Sequence, residues 1–247
     1  MDEPPDEGAL TKVFADVLET FSAPTVLPQR LPHGDPEAVL VLGDETTATC
    51  TAVAIEPRVL LTAKHCKHAS RVWLPARNGG PFVADVKRRN DHPRLDVSVL
   101  QITRPVPGEP FLMRAKNDSE APQGALRFLG YGARSVTGAG LGSLKDLSLS
   151  ANGWGCDAGR AQSTGCDASN ELVLPGVGGA DTCFGDSGGP VFDLVPTPHG
   201  CAWRVTAITS RSVADGVSPC GSGGIYTRSD VVADFVNETV KEWEGTR

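Results

Sequence analysis

Residues 181–190 read DTCFGDSGGP. Ser187 stands between Asp186 and a pair of glycines, and a second aspartate, Asp181, heads the stretch. The glycines read as a tight turn, because only glycine enters left-handed backbone conformations without a steric cost. GPVFDLV (189–195) leaves this turn, and WRVTAITS (203–210) follows; both carry the β-branched and aromatic residues of strands. A serine hydroxyl is a poor nucleophile at neutral pH. Such a turn becomes chemically interesting only if a base and an oxyanion site are supplied from elsewhere in the chain.

Working outward, the two strands beside the turn belong to a group of six, with ALRFLGYG (125–132), SLKDLSLS (143–150), ELVLPG (171–176) and GIYTRS (224–229). Upstream lie six more: AVLVLG (38–43), TATCTAVAIEP (47–57), VLLTA (59–63), RVWLP (71–75), PFVADVKRR (81–89) and DVSVLQI (96–102). RPVPGEP (104–110) separates the groups. Two groups of similar length without a sequence repeat suggest two barrels, about 37–110 and about 120–229. Before them, GALTKVFADVLETF (8–21) spaces Leu10, Val13, Phe14, Val17, Leu18 and Phe21 as one face of an amphipathic helix. A proline-punctuated linker runs to residue 36, so 1–36 reads as an extension and 37–247 as the main domain. After them, Ser229 or Asp230 is placed to cap a closing helix over 230–243, with Val232, Phe235, Val236 and Trp243 as its apolar stripe.

The 247 residues are 40% hydrophobic, enough to bury a substantial core. A net charge of -7 argues against a nucleic-acid surface, which needs clustered Lys and Arg; the lone basic run, KRR at 87–89, reads as a solvated strand end. No apolar run is long enough to span a membrane. Met1 is followed by DEPPDE, which lacks the basic start and apolar centre of a secretory leader. Either the protein is cytoplasmic or a leader has been removed. Seven cysteines favour an oxidising compartment, and a secreted or periplasmic location is expected.

Among the histidines, His65 ends a strand run in LLTAKHC (60–66), and Asp96 begins another in RLDVSVL (94–100). An imidazole to take the serine proton and a carboxylate to hold that imidazole in the right tautomer are what Ser187 requires. With GDSGGP, the order His, Asp, Ser and all three local contexts resemble the chymotrypsin-like (trypsin-type) serine proteases. FLGYG (128–132) and GGIYTR (223–228) look like strand segments of the same family. The resemblance covers roughly 37–243. It implies an all-β fold of two six-stranded antiparallel barrels with a C-terminal helix, here with an N-terminal helical extension. It also implies His65 as general base and then acid, Asp96 as its orienter, Ser187 as nucleophile, and the Gly185 and Ser187 N–H groups as the oxyanion hole. The substrate would be a protein or peptide, with no cofactor, and the chain is expected to be a monomer. Taken singly, each motif is also an ordinary turn, a core histidine or a plain strand; their joint occurrence in order carries the reading. A catalytically silent binding module on the same scaffold is the alternative.

By the same likeness, Cys50 pairs with Cys66 and Cys183 with Cys220. Cys156, Cys166 and Cys201 match no family pattern; a local Cys156–Cys166 bridge would leave Cys201 free, and other pairings stay open. CDAGR and GCDASN around them suggest either a calcium loop or, as the preferred reading, a solvated one. His65, Cys66 and His68 lack a second ligand pair at zinc spacing, so no metal is expected. Asp181 falls at the floor of the specificity pocket, with Thr182, Ser210, Arg211, Ser212 and Gly224 lining it, which implies cleavage after Arg or Lys. The segment ITSRS (208–212) departs from the family's Ser-Trp-Gly, so Arg211 is expected to narrow the rim or compete for Asp181. Lys64 stands where the family has alanine and is expected to reach solvent. In the family a freed N-terminal amine pairs with the aspartate before the serine, here Asp186. Arg30–Leu31 is the candidate cut, with an uncut linker as the alternative, in which case another cation must neutralise Asp186.

Overall fold

The computed structural model describes residues 36–44, 47–77, 80–116, 122, 126–151, 155–176, 181–197, 200–213, 218 and 220–245. The helix expected over 8–21, nearly all of the linker and the Arg30–Leu31 bond lie outside the described residues.

The first strand group forms β1 (Val39–Gly43), β2 (Ala48–Glu56), β3 (Val59–Thr62), β4 (Arg71–Arg77), β5 (Gly80–Asp91) and β6 (Ser98–Ile102). They close into a barrel in the order β1-β2-β3-β6-β5-β4, with β4 returning antiparallel to β1. The sequence closes this way because β1, β3 and β6 are mostly apolar and every one of their residues is buried, Thr62, Ser98 and Gln101 included. Strands buried on both faces need a sheet that wraps around its own core, and closure also removes the exposed edges. Pro57 and Arg58 make the two-residue turn between β2 and β3.

The second group forms β7 (Leu112–Met113), β8 (Leu126–Gly130), β9 (Lys145–Leu149), β10 (Glu171–Leu174), β11 (Pro190–Thr197), β12 (Gly200–Ser212) and β13 (Gly224–Arg228). Six of them run in the order β10-β13-β12-β11-β8-β9, and β7 lies parallel to β12. β9 and β10, the ends of this path, share no ladder among the described residues. Two expectations about neighbouring segments are corrected. The segment around CDAGR is a helix, α1 (Ala158–Thr164), capped by Asp157, whose carboxylate accepts from Arg160 N, and closed by Gly165 at φ 75°. It lies between Cys156 and Cys166, which are bridged. The Asp167 carboxylate is likewise spent on Ser169 N and Asn170 Nδ2, so the two aspartates serve backbone turns rather than a calcium cage.

The closing helix begins later than expected. Asp230–Val232 is a 3-10 turn, and α2 spans Ala233–Gly245. Ser229 does not cap it, because its hydroxyl donates to the Val205 carbonyl instead, and the Asp230 carboxylate is held by the Arg228 guanidinium. Val232, Val236 and Trp243 are buried against the barrel core as the stripe required. No helix is long and apolar enough to cross a membrane among the described residues.

Candidate active site

The site lies where the first barrel meets the turn before β11. β3 ends at Thr62, and the short loop after it carries His65; Asp96 sits in the bend just before β6, the strand paired with β3. This ladder is why two residues far apart in sequence meet. His65 Nδ1 lies 2.8 Å from Asp96 Oδ2, and the His65 N–H donates to Asp96 Oδ1 at 2.9 Å. From the second sheet, Ser210 donates its hydroxyl to Asp96 Oδ2 at 2.6 Å. Burial opposes the charge on Asp96, yet the hydrogen bonds from His65 and Ser210 and the nearby imidazole outweigh it and hold its pKa below the ordinary carboxylate value. A carboxylate kept ionised against the ring Nδ1 favours the tautomer that leaves Nε2 free to accept a proton.

Three residues with no positioning role expected from the sequence hold these loops. Arg89, inside β5 rather than at a solvated end, donates to the carbonyls on either side of His65: Nη1 to Cys66 O and Nη2 to Lys64 O, both at 2.8 Å. Lys64, half-buried, donates to His92 O at 2.7 Å and Pro93 O at 3.3 Å, tying the histidine loop to the aspartate bend. His92 Nδ1 accepts from Leu95 N at 2.9 Å. Burial first, then the charges of Arg94 and Lys64, lower the His92 pKa, and a neutral ring is what that acceptor role demands. The strand run 81–89 places Arg89 on a strand, but nothing local reveals which carbonyls it meets.

Ser187 follows a turn anchored on β2. Thr51 N donates to Ser187 O at 2.8 Å, and Thr51 Oγ1 donates to Gly185 O at 2.9 Å. Two positions of this turn require glycine. Gly185 has φ 90°, a conformation that a Cβ resists. Gly188 has φ 82°, and a Cβ there would stand 2.7 Å from Ala63 N at the end of β3, so only glycine lets the serine turn approach the histidine loop. The N–H groups of Gly185 and Ser187 make no hydrogen bond among the described residues.

Asp181 is buried, with Thr182 N donating to Oδ1 and Gly223 N to Oδ2, each at 2.7 Å. Burial raises its pKa above the ordinary value despite these donors and the charge of Lys145. Thr182 Oγ1 lies 3.4 Å from Tyr226 Oη, and a Cβ on Gly224 would meet that same hydroxyl at 2.7 Å, so Thr182 and Gly224 do gather around Asp181. Arg211 does not. Its guanidinium forks onto Glu171 at 2.6 and 2.8 Å and donates to Gly165 O at 2.9 Å, which corrects the expected competition for Asp181. The pairing with Glu171, opposed by burial, raises the Arg211 pKa. Ser212, the next residue, pairs with Gly224 across β12 and β13.

Asp186 is fully buried and takes Cys183 N at 2.7 Å and Gly132 N at 2.8 Å. A third partner is the ammonium of Lys145, the first residue of β9 and itself buried. Disulfides join Cys50 to Cys66 and Cys183 to Cys220, as the resemblance implied, and Cys201 is free. Cys50, Cys66 and His65 cluster tightly enough to suggest metal ligands, but both sulfurs are consumed in the bridge and neither is a thiolate.

A family model described as trypsin matches residues 30–236. The chain belongs to the trypsin family. A trypsin of Saccharopolyspora erythraea is 28% identical over 225 residues, covering 83% of this chain and 92% of its own. The glandular kallikrein of Sus scrofa is 27% identical, covering 78% and 86%. The venom plasminogen activator Haly-PA of Gloydius brevicauda is 24% identical, covering 82% of each. Within this trypsin-like serine protease family the bridges at Cys50–Cys66 and Cys183–Cys220 flank the histidine loop and the serine turn.

Proposed function

We propose that the protein is a serine endopeptidase that hydrolyses peptide bonds after Arg or Lys. The observation that carries this reading is the His65–Asp96 pair at 2.8 Å beside a serine turn whose Gly185 and Ser187 N–H groups are uncommitted among the described residues. His65 Nε2 takes the proton of the Ser187 hydroxyl as its oxygen attacks the scissile carbonyl. The oxyanion receives the two N–H groups, a type of donor worth about 2.7–4 kcal/mol each. His65 then passes the proton to the leaving amine, and water releases the acyl group by the same route in reverse. Asp96 stays ionised throughout, oriented by Ser210. Asp181 supports basic selectivity: a buried carboxylate regains stabilisation when a guanidinium or ammonium arrives. Arg211, held on Glu171, does not take that place. Three disulfides fit an exported protein working in an oxidising compartment.

The test is labelling with a fluorophosphonate together with a peptide library varied at P1. Labelling at Ser187, lost in Ser187→Ala, with preference for Arg over Lys at P1, is expected; the planar fork of Arg engages a carboxylate through two hydrogen bonds. A folded wild type that neither labels nor hydrolyses would instead be a binding module.

A further inference from the structure

Lys145 is a cation at a position where exposure would be expected of it. Lysine is almost never fully buried unless paired, yet this one is 2% exposed. All three of its ammonium hydrogens find acceptors: the Asp186 carboxylate, Ala133 O at 2.6 Å and Asp181 O at 3.3 Å. The carboxylate it meets is closed off from the other side, since a Cβ on Gly132 would stand 2.5 Å from Asp186 Oδ1. Fully spent donors and a sealed acceptor describe a built-in ion pair.

The contacts around this pair lead to the serine turn. Asp186 accepts Cys183 N and Gly132 N, pinning both the start of the turn and the segment after β8. Ala133, whose carbonyl receives Lys145, donates its own N–H to Phe184 O at 2.7 Å. A trans peptide directs its C=O and N–H to opposite sides, so drawing Phe184 O toward Ala133 turns the Gly185 N–H away from Ala133. The lysine therefore grips both peptide segments that orient one candidate oxyanion donor.

We propose that Lys145 is the resident cation of the serine turn, holding Asp186 and Ala133 so that the Gly185 N–H is set in the uncut chain, and that activity requires no cleavage at Arg30–Leu31. Lys145 is a positioning residue, acting through Asp186 and Ala133 on a donor that would touch the substrate. The proposal rests on the endopeptidase reading. It supplies the cation that the uncut-linker alternative requires for Asp186, because that charge already has its partner.

The experiment uses the full chain in two forms, one carrying Arg30→Gln, and one with residues 26–30 exchanged for a specific protease's recognition sequence and then cut before Leu31. Intact mass verifies each state, and hydrolysis of a P1-Arg peptide gives kcat and KM. The uncut form is expected to match the cut form within about twofold. In both, Lys145→Met should lower kcat by about 10²-fold, the size of losing one oxyanion donor, while KM changes little. If Lys145→Met does not fold, Lys145→Met with Asp186→Asn removes the stranded charge and carries the same kcat measurement. Activity confined to the cut form, or an unchanged kcat in the lysine variant, overturns the proposal and leaves the endopeptidase reading intact. Inactivity of both forms overturns the two together.

Discussion

Replacing Arg89 with methionine tests how far His65, the proposed general base, depends on the side chain that brackets its loop. The guanidinium donates to Lys64 O and Cys66 O, each at 2.8 Å, to Ser98 Oγ at 2.9 Å and to Asp91 Oδ1 at 2.6 Å. Its side chain is 18% exposed, so water replaces only part of what is lost. Hydrogen bonds to a charged group contribute about 1.5–3 kcal/mol each, and discounting the two carbonyl bonds for partial rehydration leaves a loss of about 3 kcal/mol. For a chain of this length that lowers the melting temperature by about 6–12 °C. The Cys50–Cys66 bridge still tethers the loop, so the fold survives while His65 loses its alignment. A misplacement on the order of 1 Å costs about 10²-fold in rate, which should appear in kcat rather than KM. Arg89→Lys, a single point donor, should recover stability better than kcat, because it cannot span both carbonyls at once. Thermal unfolding and steady-state kinetics on the same preparations decide the matter. If Arg89→Met melts within a degree or so of the wild type and keeps its kcat, the bracket around His65 does no positioning and the reasoning fails.

Asp181 should make recognition of basic groups sensitive to acid. Burial raises its folded pKa, so protonation begins at a higher pH than for an ordinary carboxyl group, and a benzamidine-type probe that needs the charged form should bind more weakly as pH falls. Calorimetry across the acid range would detect this, and an affinity independent of pH would remove Asp181 from the pocket floor. Asp181→Ser should lose most hydrolysis of P1-Arg and P1-Lys peptides while Ser187 labelling persists. Arg211→Ala, because the guanidinium sits on Glu171 and not on Asp181, should leave the P1 preference within about twofold while lowering thermal stability through the stranded Glu171 carboxylate. A P1 library that shifts toward basic residues in this variant would show that Arg211 does compete.

The features legible in the sequence lie in short stretches. The turn 181–190, the strand runs ending at His65 and beginning near Asp96, and the apolar spacing of 232–243 each declare themselves within a window of a few residues. They do so because turn conformation, strand alternation and helical periodicity are local constraints on the backbone and on one buried face. The caps and boundaries were less legible: Ser229 bonds to Val205 O rather than capping α2, a choice made by a neighbouring strand. The charges were least legible. Arg89, Lys64, Lys145 and Arg211 look alike in the sequence, and each was read as solvated, left unassigned or given the wrong partner. The packing of strands remote in the chain brings Lys145 to Asp186, Arg89 to the carbonyls around His65 and Arg211 to Glu171. An ion pair or a charged hydrogen bond depends on distance and on the water removed around it, and both are set by which strands come together, not by the residues beside it in the chain.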